Sequence, residues 1–201
     1  SISHSDLPNI FRAIELGGTL PIARIAEGTL SNCKQALDAG AGGIIAPMIM
    51  DAEQLEQIIN WCCWPPKGIR GVGYSRANLY GKNFDSYRNE AQAPLIIAQI
   101  EHIKAVDNLE SILSVGGLDA TIIGPYDLSA SMGLTGDLEH PGVIKAGKKV
   151  IEISNKIGIP SGLHVVAPDK EKLKIATDNG YSFIAYSLDA VFLTDKIDNP
   201  Y

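Results

Sequence analysis

Short runs of branched apolar residues alternate along this chain with longer stretches whose apolar positions recur at helical spacing. The runs are Leu20 to Ile25, Gly43 to Pro47, Leu95 to Ile100, Ala120 to Ile123, Ile159 to Leu163 and Phe183 to Tyr186, and they predict six strands. Helix signals fill the gaps. Leu7 to Leu16 forms the first, Ser31 opens a periodic stretch ending at Gly40, and Asp51 precedes Leu55, Ile58 and Ile59 on one face. Lys104 to Val115 and Asp169 to Asn179, stopped by Gly180, complete the pattern.

This β-α alternation implies parallel strands covered by helices. A doubly wound sheet would place a glycine-rich turn directly after its first strand. Here the polar residues Arg24, Glu101, Asp127 and His164 instead follow several different strands, which predicts a (β/α)8 TIM barrel with its chemistry on one face. A full barrel of this type has eight strands and about 250 residues. The expectation is therefore a single barrel domain spanning 1–201, truncated at both ends, lacking its first two strands and part of its last helix.

Composition narrows the partners. The chain has 201 residues, is 45% hydrophobic and carries a formal charge of −6, which predicts a well-filled core and excludes extensive disorder. Neither a dense basic patch for nucleic acid nor an apolar run of membrane-spanning length is present, and the N-terminus lacks the pattern of a signal peptide. Cys33, Cys62 and Cys63 have neither metal-site spacing nor a disulfide framework, consistent with reduced thiols in a cytoplasmic protein. Trp61 to Pro94 reads as one long irregular excursion, in which Tyr74, Tyr80 and Tyr87 suit an interface. Arg70 and Arg76 suit solvent, a subunit contact or the tail of an anionic substrate.

Glu101 and Asp127 emerge at equivalent ends of neighbouring strands. Such a pair suits a hard divalent cation that takes its remaining ligands from water and substrate, or else the two are solvated strand-end and capping groups. Arg24 would either stabilise developing charge on a carbonyl oxygen or form a structural ion pair. Gly124-Pro125-Tyr126-Asp127 opens a short helix whose free N–H groups could seat a small anion, or is an ordinary turn. His164 ends a predicted strand, as an auxiliary base, an anion ligand or a structural histidine. Gly71-Val72-Gly73 completes no nucleotide-binding spacing, and no histidine pairs with a serine or cysteine in a hydrolytic pattern.

Four segments occur in one order: Pro65-Pro66-Lys67-Gly68-Ile69-Arg70-Gly71-Val72-Gly73, Ala98-Gln99-Ile100-Glu101, Ile123-Gly124-Pro125-Tyr126-Asp127-Leu128-Ser129-Ala130-Ser131-Met132-Gly133, and His140-Pro141. Together they resemble the HpcH/HpaI family of class II aldolases, which belongs with the pyruvate- and phosphoenolpyruvate-type barrels. The resemblance runs from about Phe11 to Leu193. It implies cleavage of a 4-hydroxy-2-oxo acid to pyruvate and an aldehyde, with Mg²⁺ or Mn²⁺ as cofactor and Co²⁺ as a further candidate. In this reading Glu101 and Asp127 hold the metal, and Arg24 polarises the keto oxygen. Gln99 then stands beside the substrate, while Gly124, Pro125 and Tyr126 seat its carboxylate. The resemblance also implies a homo-oligomer, commonly a hexamer.

Three positions depart from the family pattern. The Glu-His pair that supplies the family's base would fall before Ser1, so His4 is not that base. Tyr126 replaces a small residue, and His102 stands where threonine is common. Two further functions follow as alternatives: a catalytically incompetent 2-oxo-acid-binding relative or fragment, and an acyl-CoA lyase of the citrate-lyase type.

Overall fold

Proline and β-branched residues set the strand limits. The computed structural model describes residues 2–195 and 197, and its strands are β1 (Ile22–Arg24), β2 (Gly43–Ala46), β3 (Leu95–Ile100), β4 (Ala120–Ile123), β5 (Ser161–Val165) and β6 (Phe183–Tyr186). Pro21, Pro47 and Pro160 have no N–H to give to a ladder, and each lies just outside a strand. The first strand is consequently shorter than the apolar run Leu20 to Ile25. The fifth begins two residues later than Ile159 and extends through His164 to Val165.

All neighbouring strands pair in parallel and lie in the order of the sequence. That single direction of winding is the barrel type and excludes a doubly wound sheet, whose order reverses at a switch point. Alternation then separates two faces. Ile44, Ala46, Ile96, Ala98, Ile100, Ile123 and Val165 join the main core beneath the helices. Ile97, Ala120 and Ile122 pack on the other face with Ile22, Ile45, Phe183 and Ala185, so side chains from β1 to β4 and from β6 meet inside the curl of the sheet.

The helices are α1 (Leu7–Leu16), α2 (Leu30–Asp38), α3 (Ala52–Cys62), α4 (Phe84–Glu90), α5 (Ile103–Asp107), α6 (Leu109–Leu113), α7 (Pro125–Ser131), α8 (Pro141–Ile157), α9 (Lys170–Asp178) and α10 (Asp189–Asp195). Asp51 and Asp169 cap α3 and α9 as the sequence predicts, whereas Thr29, two residues before Ser31, caps α2 by accepting the Asn32 N–H. The single helix expected over Lys104 to Val115 is two. Asn108 interrupts it with a non-helical ψ of 11° and sends its side-chain amide to the Met50 carbonyl, 2.9 Å away.

The excursion from Trp61 to Pro94 is more ordered than its sequence suggests. It contains a 3-10 turn at Arg76–Gly81 and α4, and Trp64, Phe84 and Tyr87 pack as an aromatic cluster. Arg70, expected at the surface, is fully buried: it stands 5.7 Å from the Trp64 ring centroid and donates to the Tyr87 hydroxyl at 3.2 Å. Arg76 pairs with Glu15 and donates to the Ala39 carbonyl. Neither arginine serves the strand ends. Tyr87 is buried, while Tyr74 and Tyr80 remain exposed. The three cysteines are free and buried. Among the described residues, no helix is long and apolar enough to cross a membrane.

Candidate active site

The period of two along a strand carries Arg24, Gln99 and Glu101 to the inner face. Arg24 shares the parity of Ile22, and Gln99 and Glu101 share that of Ile97, all at the C-terminal end of the sheet. Hydrogen bonding then fixes the carboxylate of Glu101. Its Oε1 accepts the Met48 N–H at 2.8 Å, and its Oε2 accepts the Gln99 side-chain amide at 2.7 Å. The residue is only 4% exposed.

Space for this arrangement comes from Gly124, the residue that links β4 to α7. A Cβ placed there would sit 2.7 Å from Glu101 Oε2 and 2.9 Å from Gln99 Nε2. One turn later, in the first turn of α7, Asp127 projects toward the same carboxylate. Burial raises the Glu101 pKa above the ordinary glutamate range; the Met48 N–H opposes the rise, the charge of Asp127 adds to it, and Arg24 opposes it. Arg24 itself is exposed and donates to the Ile25 carbonyl at 3.2 Å, so it is not locked in an ion pair with either acid. The solvated-cap reading fails for Glu101. It is buried, and its two oxygens bind a backbone N–H from another strand end and a neighbouring amide.

The donor set fits a hard divalent cation. Two carboxylates converge, one of them buried without a bonded cationic partner, and Gln99 Oε1 is buried without a hydrogen-bond partner beside them. Among the described residues no cluster of three or more His, Cys, Asp or Glu forms a closed metal site. Two protein ligands with an otherwise open shell is the arrangement in which water and substrate oxygens complete an octahedron.

The structure brings Arg24, Gln99, Glu101, Gly124 and Asp127 together, with Pro125 and the half-exposed Tyr126 on the rim. His164 occupies an inner-face register position opposite Ala185 and lines a cleft of about 520 Å³ with Leu163, Val165 and Tyr181. Among the described residues no hydrogen bond joins it to the carboxylates. His102 and His140 turn back to cap α5 and α8, accepting the Lys104 and Gly142 N–H groups. Sequence reasoning missed Met48. Its contribution is a backbone N–H, which leaves no trace in residue type.

The pattern of the HpcH/HpaI aldolase/citrate lyase family matches residues 5–195. The chain belongs to that family. It is 35% identical over 184 residues to a hydroxypyruvate/pyruvate aldolase of Roseobacter denitrificans, covering 90% of this chain and 71% of that protein. Over 196 residues it is 35% identical to the 2-keto-3-deoxy-L-rhamnonate aldolase of Escherichia coli, covering 96% and 72%. In three dimensions it superposes on an HpcH/HpaI aldolase/citrate lyase family protein from Burkholderia cenocepacia with a TM-score of 0.90, at 31% identity, covering 96% of this chain and 77% of that one. The named relatives are aldolases, which are carbon–carbon lyases, and the six-stranded α/β sheet is that of a partial TIM barrel.

Proposed function

We propose that this protein is a divalent-metal-dependent pyruvate aldolase, cleaving a 4-hydroxy-2-oxo acid reversibly to pyruvate and an aldehyde. The observation that carries the reading is Glu101: a buried carboxylate, held at both oxygens, facing Asp127 at the C-terminal end of parallel strands. Glu101 and Asp127 would hold Mg²⁺ or Mn²⁺. The cation, when bound, supplies Lewis-acid polarisation of the 2-oxo group.

The chain's own residues divide the remaining work. Arg24, exposed at the strand end and in no ion pair with either acid, would stabilise negative charge on the keto oxygen as the C3–C4 bond breaks and its electron pair moves into the 2-oxo-acid fragment. Gln99 presents its unpartnered Oε1 to a water or substrate donor. The first-turn N–H groups of Tyr126 and Asp127 seat the substrate carboxylate, since Pro125 contributes none. The 4-hydroxyl proton must leave as the aldehyde forms. Among the described residues, His102 and His140 are engaged in capping helices, and no histidine hydrogen-bonds to Glu101 or Asp127. The exposed Ile69, Val72, Tyr74, Leu79 and Tyr80 support assembly as a homo-oligomer, and the acidic, cysteine-reduced chain suits the cytoplasm.

Pyruvate release from a panel of 4-hydroxy-2-oxo acids, with Mg²⁺ or Mn²⁺ and again after chelation, tests this. Chelator-sensitive release is the expected result. Metal and pyruvate binding without release, in this chain and in one extended upstream, would replace the enzyme with a 2-oxo-acid-binding relative. Release only from a thioester substrate would point to the citrate-lyase branch.

A further inference from the structure

The metal-binding reading gives one residue outside the site a role. Met48, between β2 and α3, has φ of +53°, a left-handed conformation that non-glycine residues rarely adopt. The next residue, Ile49, is fully buried, while Met48 is 40% exposed. In this conformation Met48 aims its N–H at Glu101 Oε1.

A residue in such a conformation persists only where its surroundings hold it. The holder is Gln54, in the first turn of α3. Its Nε2 donates to the Met48 carbonyl at 3.0 Å, and its Oε1 accepts the Met50 N–H at 2.9 Å. In a capping box the side chain at this position returns to the N-cap N–H. Asp51 does cap the Gln54 N–H, at 2.8 Å, but the Gln54 side chain bypasses Asp51 and clamps both ends of Met48-Ile49-Met50. Asn108 secures the far end through the Met50 carbonyl.

We infer that Gln54 is a positioning residue for the metal-binding carboxylate, acting through the left-handed Met48 to set Glu101 Oε1. With one protein donor on each oxygen, Glu101 is fixed in rotation and keeps its second lone pairs for the cation. The inference rests on the metal reading above, and the experiment separates the two.

Mn²⁺ affinity is measured by titration calorimetry on the full chain, alongside the melting temperature, for wild type, Gln54→Ala, Met48→Gly and the double variant. Gln54→Ala should weaken Mn²⁺ binding about 10-fold, as loss of supporting contacts does at metal sites. In the Met48→Gly background the same change should weaken it less than about 3-fold, because glycine takes positive φ without a clamp. Wild-type affinity in Gln54→Ala, whatever its melting temperature, overturns the inference, and equal losses in both backgrounds overturn the route through Met48. Absence of Glu101-dependent Mn²⁺ binding in wild type would bring down the metal reading itself.

Discussion

Glu101 is buried, hydrogen-bonded and next to a second acid, and its energetics follow from that combination. Its folded-state pKa lies above the ordinary value, chiefly through desolvation, so between the unfolded and the folded pKa the folded chain binds more proton than the unfolded one. For the metal-free protein this group favours folding below the unfolded pKa and loses that contribution as pH rises through the folded one. Glu101→Gln should therefore abolish Mn²⁺ binding while leaving the metal-free melting temperature at neutral pH equal or higher, as calorimetry with and without Mn²⁺ would show. Mn²⁺ affinity in wild type should fall on acidification at a higher pH than for an ordinary glutamate. Gly124→Ala is predicted to be milder for folding than for function. The added Cβ meets Glu101 Oε2 and Gln99 Nε2 and stands 3.0 Å from Glu101 Cβ, so the carboxylate must be displaced from its two donors: metal affinity should drop sharply, with a smaller loss of melting temperature. Arg24→Ala should lower kcat more than it lowers Mn²⁺ affinity; equal losses would assign Arg24 a structural role. Arg24, Glu101 and Asp127 stood out in the sequence as polar residues at the ends of apolar runs, whereas Gln99, inside such a run, was marked only by the resemblance to the family. Met48 and Gln54 did not stand out, since one acts through its backbone and the other from inside an ordinary helix.

At the level of elements, the strands were readable because their apolar runs are bounded by proline and glycine, and their ends moved by a residue or two where proline removed a donor. The break at Asn108 was not readable. It depends on a bond to Met50, 58 residues distant in the chain. The segment between α3 and β3 misled sequence reasoning for the same reason, because a buried arginine resembles a solvated one until its partners are known. Arg70 binds Tyr87, lies near Trp64 and stands 3.9 Å from Asp38, so Arg70→Ala should destabilise the fold by about 2–4 kcal/mol through lost packing and orphaned partners. Mn²⁺ affinity in that variant should remain at the wild-type level. A chemical-denaturation midpoint and a titration on the same sample check both halves.

For the whole molecule, β1 and β6 are the outer strands of the sheet. Among the described residues β1 pairs only with β2, and β6 only with β5. Closure by two further β/α units would remove both edges and should raise the melting temperature along with turnover, which a chain extended upstream would reveal by calorimetry and pyruvate release. An oligomer covering Tyr74, Leu79 and Tyr80 should appear as a larger species in sedimentation velocity, and charged substitutions at those positions should dissociate it without changing the circular dichroism spectrum.

What the sequence determined by itself was local and periodic: the alternation of strand and helix, the polar strand ends, and the ordered motifs that carry the family. These follow from side-chain chemistry repeated at intervals of two or 3.6 residues, which a linear reading captures. The tertiary structure decided the rest. It set the single winding of the sheet, the burial that raises the Glu101 pKa, the space cleared by Gly124 and the left-handed Met48 that Gln54 clamps. Each depends on groups far apart in the chain, and only folding supplies the distances at which they act.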